Sequence, residues 1–123
     1  MPSSRKPGSS RPPSRRLGPE AERRVRRHYR LRGYVILDVN AWVGGYELDL
    51  VVRRGRTVVV CEVKARSGPE YGEPLEAVGP EKARRVRRAA EAWLAGRPEL
   101  AELDVRLEAV AVFGRRIQRV SFD

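Results

Sequence analysis

Two short stretches, YELDLV and VCEVKARS, carry the residues best suited to chemistry. The first places Glu47 and Asp49 two positions apart, and the second places Glu62 and Lys64 two positions apart. Because successive side chains of a strand alternate, each pair is expected to share one face. Carboxylates brought together repel unless a cation lies between them, and oxygen ligands without His or Cys favour a hard ion. The sequence therefore predicts an Mg²⁺ or Mn²⁺ site at Asp49 and Glu62, beside Lys64.

Hydrophobic patterning predicts that these stretches form a hairpin in a small α/β domain. A strand, a helix and a further strand form a right-handed unit, so the strand after the second helix is expected to run parallel to the hairpin's second strand. The result is a mixed β-sheet flanked by helices, in the order αβββαββ. The predicted elements are a helix at 18–33, a strand at 34–43, the hairpin at 46–65, a loop at 66–78, a helix at 79–97, and strands at 105–114 and 116–122.

Charge points to a polyanionic partner. The chain of 123 residues holds 26 basic and 16 acidic side chains, a net charge of +10. Residues 1–17 contain five basic side chains and no acid, and their Ser, Pro and Gly content predicts a disordered tail before a domain at 18–123. The domain itself retains a basic excess. Nucleic acid is the favoured partner, although an arginine-rich surface that only maintains solubility is the alternative.

Composition also limits the compartment and the site chemistry. A single cysteine, Cys61, excludes an intramolecular disulfide and a cysteine-rich metal cluster, and it is expected in the core. No apolar run is long enough to cross a bilayer, and the N-terminus lacks the apolar segment of a signal peptide. These features predict a cytoplasmic protein with no membrane partner.

Lysine is scarce, which makes its positions informative. Only three of the basic residues are lysines: Lys6, Lys64 and Lys82. Lysine is a compact point charge that can lose its proton, whereas arginine stays charged. Lys64 is therefore assigned to the chemical site. Lys82 near the start of the second helix is expected to face phosphate, together with Arg85, Arg88 and Arg66.

Seven motifs in order give the sequence a family resemblance. The spacing D-x12-E-x-K from Asp49 to Lys64 resembles the PD-(D/E)xK nuclease superfamily, and more closely the bacterial UPF0102 (YraN-like) family, whose fold is similar to that of archaeal Holliday junction resolvases. The motifs are GPEAE at 18–22, GYVILDVN at 33–40, YELDLV at 46–51, VCEVKARS at 60–67, YGEPLEAV at 71–78, EKARRVRRAAEAWL at 81–94 and VRLEAVAV at 105–112.

The resemblance implies a restriction-endonuclease-like fold and Mg²⁺-dependent phosphodiester hydrolysis of DNA, with branched or damaged DNA as candidate substrates. Asp49 and Glu62 would hold the metal, and Lys64 would position or activate water and offset charge in the transition state. Glu22 and Glu47 would reach the metal directly or through water, unless they are only surface charges. Resolvase-like nucleases also suggest a homodimer, with the loop at 66–78 as a contact.

Departures from the family pattern leave other functions open. Tyr46 stands where the family commonly has Gly, and Arg106-Leu107-Glu108 stands where it commonly has Arg-Phe-Asp. Neither change removes Asp49, Glu62 or Lys64. The main rival is a module that binds DNA or RNA without cleaving it, and a third reading is a factor in RNA processing.

Overall fold

The computed structural model describes residues 18–66 and 78–122. Within these residues, two helices and five strands appear in the predicted order αβββαββ, with a short 3-10 helix that patterning did not predict. The elements are α1 (Pro19–Leu31), β1 (Val35–Val43), β2 (Tyr46–Arg54), β3 (Thr57–Arg66), α2 (Pro80–Ala95), the 3-10 helix (Pro98–Leu100), β4 (Asp104–Phe113) and β5 (Arg116–Ser121).

The five strands form one mixed sheet in the order β1-β2-β3-β4-β5. Neighbouring strands are antiparallel except for β3 and β4, which run parallel from the pair Thr57–Asp104 to the pair Arg66–Phe113. The predicted parallel pairing through a crossover helix is thus confirmed. Its physical basis is the length of the connection, because parallel neighbours need a crossover that a tight turn cannot supply.

Both helices start in the same way. A glycine with extended backbone precedes a proline in the first turn, at Gly18-Pro19 for α1 and at Gly79-Pro80 for α2. Proline suits this position because its missing N–H would have no partner within the helix, and its fixed φ fits the first turn. Among the described helices, none is long and apolar enough to cross a membrane.

The helices cover opposite faces of the sheet. Val25 and Tyr29 of α1 pack on Val52, Val59 and other residues of one face. Val86 and Trp93 of α2 pack with Val60 on the other. The long β-branched run of β3 therefore follows from burial of the strand on both sides, as the sequence predicted.

A buried polar network attaches α1 to the sheet. Glu108 of β4 accepts hydrogen bonds from the Tyr29 hydroxyl (2.8 Å) and from two nitrogens of Arg119 (2.9 and 3.1 Å). The Cys61 thiol donates to the Tyr29 oxygen at 3.3 Å. Burial raises the pKa of the Cys61 thiol and of the Tyr29 phenol well above their usual values, so both groups stay protonated. The network is structural, and Cys61 is a core residue as expected.

Two predictions fall outside the described residues. The basic tail was assigned to residues 1–17, and most of the predicted loop, with its suggested dimer contact, lies at 67–77. Both stay predictions.

Candidate functional site

A hydrogen bond to the Asp49 carboxylate links the two motifs from which the site was predicted. Oδ2 of Asp49 in β2 accepts from the backbone N–H of Val63 in β3 at 2.8 Å. Val63 is the residue between Glu62 and Lys64. The Asp49 carboxylate is therefore fixed against the backbone of the E-x-K segment.

Asp49 lies where β2 leaves its regular pairing with β3. The printed ladder between the two strands reaches Leu50 opposite Cys61 and goes no further toward Asp49. Leu50 packs on the α1 side, yet Leu48 packs on the α2 side, although two positions should restore the same face. Strict alternation therefore fails between Leu48 and Leu50, and the shared face of Glu47 and Asp49 stays a prediction. Where the backbone ladder stops, the Asp49 carboxylate accepts the Val63 N–H of β3 in place of a backbone carbonyl of β2.

The neighbouring strand is distorted at the same level. Val39 pairs with Leu50 and Ala41 pairs with Leu48, so Asn40 stands opposite Asp49. Asn40 has a φ of +50°, in the left-handed region that few residues other than Gly, Asn and Asp adopt. Strained backbone of this kind clusters at functional sites. The pairing of β1 with β2 resumes at Ala41 and Leu48, so the distortion is local to the level of Asp49.

Glu62 is a buried acid that lies next to the ammonium group of Lys82. Only 3% of the residue is exposed. Its Oε1 accepts a hydrogen bond from the Tyr46 hydroxyl at 3.1 Å, and its Oε2 lies 2.9 Å from the Lys82 ammonium nitrogen. A buried charge is tolerated only when it is paired, and Lys82 in the first turn of α2 supplies the partner.

The carboxylate oxygens of Asp49 and Glu62 are the donor type that a hard divalent ion takes. Among residues 18–66 and 78–122, no group of three or more His, Cys, Asp or Glu side chains forms a metal cluster. Mg²⁺, however, is commonly held by one or two carboxylates together with water and substrate phosphate. Asp49 and Glu62 supply two such carboxylates on adjacent strands. An ion bound through Oε2 of Glu62 would have to replace the Lys82 contact.

The other predicted site residues are less closely grouped. Lys64 is half-buried and follows Glu62 by two positions on β3. Glu47 is half-buried and pairs with Trp42 of β1. Glu22 belongs to α1, which covers the face opposite the one where Glu62 meets α2. The metal-binding roles of Glu22 and Glu47 stay predictions.

Three of the four residues predicted to contact phosphate lie on α2, and the fourth lies on β3. Lys82 is 21% exposed, and its ammonium group is directed to Glu62. Arg85 and Arg88 are exposed, and one nitrogen of Arg85 is 3.8 Å from Glu81. A cleft of about 370 Å³ lies among Tyr46, Glu81, Lys82 and Arg85, next to buried Glu62. Arg66 is the last residue of β3.

Sequence reasoning missed two residues of this region. Tyr46 was treated only as a departure from the family, yet its hydroxyl holds Glu62. Asn40 was read as ordinary strand, although Asn is unfavourable in strands and its presence in a β-branched run signals a break. No sequence signal connects Lys82 with Glu62, because the pair depends on how α2 lies on the sheet.

Comparison with known proteins places the chain in one family. The model of the Uncharacterised protein family UPF0102 matches residues 21–112. A UPF0102 protein of Acidothermus cellulolyticus is 42% identical over 109 residues, covering 81% of this chain and 83% of the relative. One from Frankia casuarinae is 46% identical over 96 residues, covering 78% and 80%, and one from Methylocella silvestris is 41% identical over 95 residues, covering 77% and 75%. The chain belongs to the UPF0102 family.

Proposed function

We propose that this protein is a metal-dependent endonuclease that binds nucleic acid, with DNA as the favoured substrate. The observation that carries the proposal is the 2.8 Å hydrogen bond from the Val63 N–H to Asp49, since it fixes the aspartate against the E-x-K segment. Acidic side chains are rarely buried without a specific partner, and Glu62 of this segment is buried. The net charge of +10 supports a polyanionic substrate.

Each residue has a distinct task in this proposal. Asp49 and Glu62 would hold Mg²⁺ or Mn²⁺, which supplies Lewis acidity and lowers the pKa of a water ligand. The Tyr46 hydroxyl and the β3 backbone keep both carboxylates in place before substrate arrives. Lys64 offers a compact positive charge near the position of the scissile phosphate and orients the attacking water.

Lys82 has a task that differs from the one expected from sequence. Its ammonium group neutralises Glu62 at 2.9 Å. Two neighbouring carboxylates and a phosphodiester are all negative, so a cation here reduces repulsion as substrate approaches. Lys82 therefore holds the Glu62 carboxylate in place until a metal ion replaces the contact, and Arg85 and Arg88 remain the phosphate contacts proposed on α2.

A substrate panel with matched lysine variants tests the proposal. Flap, junction, duplex and single-stranded substrates are incubated with Mg²⁺ or Mn²⁺ and the parent, Lys64→Arg or Lys6→Arg. Lys6→Arg makes the same chemical change at a residue without an assigned role. The parent and Lys6→Arg should cleave at least one substrate, while Lys64→Arg should bind it equally well and lose most cleavage, because arginine keeps the charge but not the size or acidity. A fully active Lys64→Arg would contradict the catalytic role.

The Lys82 ion pair also supports a second candidate function. An ammonium group already lies 2.9 Å from Glu62, so the charge of the buried acid is balanced without a metal. A module that binds nucleic acid without cleaving it would have this arrangement. Binding without cleavage of any substrate in the panel, with or without metal, would favour this candidate.

A further inference from the structure

A basic cleft of about 540 Å³ lies between α1 and the β4–β5 hairpin. Because α1 covers the face opposite α2, the cleft is separate from the Glu62 region. One acid, Glu20, contributes to its lining, together with five arginines: Arg23, Arg24, Arg27, Arg32 and Arg115. Such an excess of positive charge around one concave surface attracts anions.

Two of the five arginines serve the fold. Arg24 donates to the Gly114 carbonyl at 3.0 Å and pairs with Glu20 at 3.0 Å. Arg32 donates to the His28 carbonyl at 3.0 Å. These contacts join α1 to the β4–β5 turn and cap the end of the helix, so they give the cleft a fixed wall.

The other three arginines have no such task. Arg23, Arg27 and Arg115 are exposed. Within the described part of the chain, no hydrogen bond, ion pair or ring contact engages their guanidinium groups. Each guanidinium presents a planar fork of donors, and this geometry matches the oxygens of a phosphate.

The charge pattern of α1 is unfavourable for the helix itself. Arg27 has Arg23 and Arg24 one turn before it and Arg30 one turn after it. Like charges at these spacings destabilise a helix. Glu20 pairs with Arg24 at 3.0 Å, which offsets part of this repulsion. An anionic ligand in the cleft would offset more of it.

The extent of the cleft favours a polymer over a single small anion. Its lining runs along α1 from Glu20 to Arg32, which corresponds to about 18 Å of helix. One strand of B-DNA advances about 3.4 Å per phosphate, so roughly five phosphates could lie along this length.

We infer that the arginine cleft binds the phosphodiester backbone of a nucleic-acid strand, through Arg23, Arg27 and Arg115. The inference rests on the proposed function for the identity of the partner. It adds a docking surface on the sheet face away from Asp49 and Glu62. A bound nucleic acid then contacts the protein at two places, one of which takes no part in cleavage.

Paired triple variants of the full chain test the cleft. The cleft variant carries Arg23→Gln, Arg27→Gln and Arg115→Gln. The control carries Arg30→Gln, Arg84→Gln and Arg106→Gln, which removes the same charge from exposed positions outside the cleft lining. Thermal melts confirm that both are folded. Anisotropy of an end-labelled DNA duplex is then measured across a salt series.

The cleft variant should bind more weakly, and the slope of log K against log salt should fall by up to about 2.7, at about 0.9 for each lost phosphate contact. The control should change the slope far less. Equal changes in both variants, or unchanged binding by the cleft variant, would contradict the role of the cleft in binding and leave the proposed function in place. A parent that binds no nucleic acid would overturn both. Cleft-dependent binding to phosphatidylglycerol vesicles with unchanged DNA affinity would assign the cleft to membranes instead.

Discussion

Two acids are buried on opposite faces of the same sheet, and each meets one tyrosine hydroxyl and one cation. Glu108 bonds to Tyr29 and to the fork of Arg119, whereas Glu62 bonds to Tyr46 and pairs with Lys82. The Glu108 group lies under α1, and the Glu62 group lies beside Asp49 where the β2–β3 ladder is interrupted.

The two groups differ in the cationic side chain that pairs with the acid. Arg119 contacts both oxygens of Glu108 from the adjacent strand, which fixes the carboxylate and leaves little room for exchange. Lys82 reaches Glu62 from a helix through one ammonium nitrogen, and the two cations are about equally exposed, 21% for Lys82 and 23% for Arg119. The difference is therefore in geometry, since a single point charge is replaced by another cation more easily than a two-nitrogen fork. We therefore propose that the Glu108 group serves stability and that the Glu62 group serves function.

The largest expected effect belongs to the Glu108 group. Arg119→Met should lower the free energy of unfolding by about 3–5 kcal/mol, because it leaves a buried charge without its partner. Chemical denaturation of the parent and the variant measures the loss. The double variant Glu108→Leu/Arg119→Met should recover most of it, since apolar residues of similar volume replace a buried pair at little cost. A loss under about 1 kcal/mol for Arg119→Met would be typical of a surface ion pair and would contradict the structural role of the Glu108 group.

A smaller effect is expected when Lys82 is changed. Lys82→Met should cost about 1–3 kcal/mol in the same measurement, because it removes one ammonium contact whereas Arg119→Met removes two hydrogen bonds to its acid. Mn²⁺ should then raise the melting temperature of Lys82→Met more than that of the parent, since binding to the native state stabilises it and the competing ammonium is gone. Arg119→Met should show no such extra gain. Equal responses to Mn²⁺ in all three proteins would remove the distinction between the two groups.

The smallest effect concerns His28, whose ring packs edge-on against Tyr29 with centroids 5.4 Å apart. Burial, with Arg32 and Arg119 nearby, lowers the pKa of His28 below its usual value. The unfolded chain therefore binds a proton that the native state does not, and stability should fall as pH drops below about 6.5. Denaturation of the parent and of His28→Gln at pH 7 and pH 5 should show a weaker acid loss in the variant. Identical pH dependence would show that His28 titrates normally.

The sequence was sufficient for the order of elements and for the parallel pairing. Periodicity, glycine and proline positions, and crossover length are local signals, and they predicted the faces of α1 and α2 from Val25, Tyr29, Val86 and Trp93. The 3-10 helix at Pro98–Leu100 is too short to produce such a signal.

The site was only partly accessible to sequence reasoning. Asp49 and Glu62 were expected to lie together because a hairpin joins them, and Asp49 does contact the backbone next to Glu62. Strict alternation failed at Leu48 and Leu50, since the break at Asn40 and Asp49 depends on pairing with β1. The contacts of Glu62 with Lys82 and of Glu108 with Arg119 depend on tertiary packing, which spacing along the chain does not encode.

The central claim is that the Asp49–Glu62 end of the sheet holds a divalent ion. Calorimetric titration with Mn²⁺ tests it on the parent, Asp49→Asn and Asp38→Asn. Asp38 is a matched control because it is also a half-buried strand acid, and its carboxylate is held by Trp93 at 2.9 Å and Arg97 at 3.4 Å. The account predicts a binding site in the parent and in Asp38→Asn that Asp49→Asn lacks. Equal Mn²⁺ binding by all three proteins would contradict it.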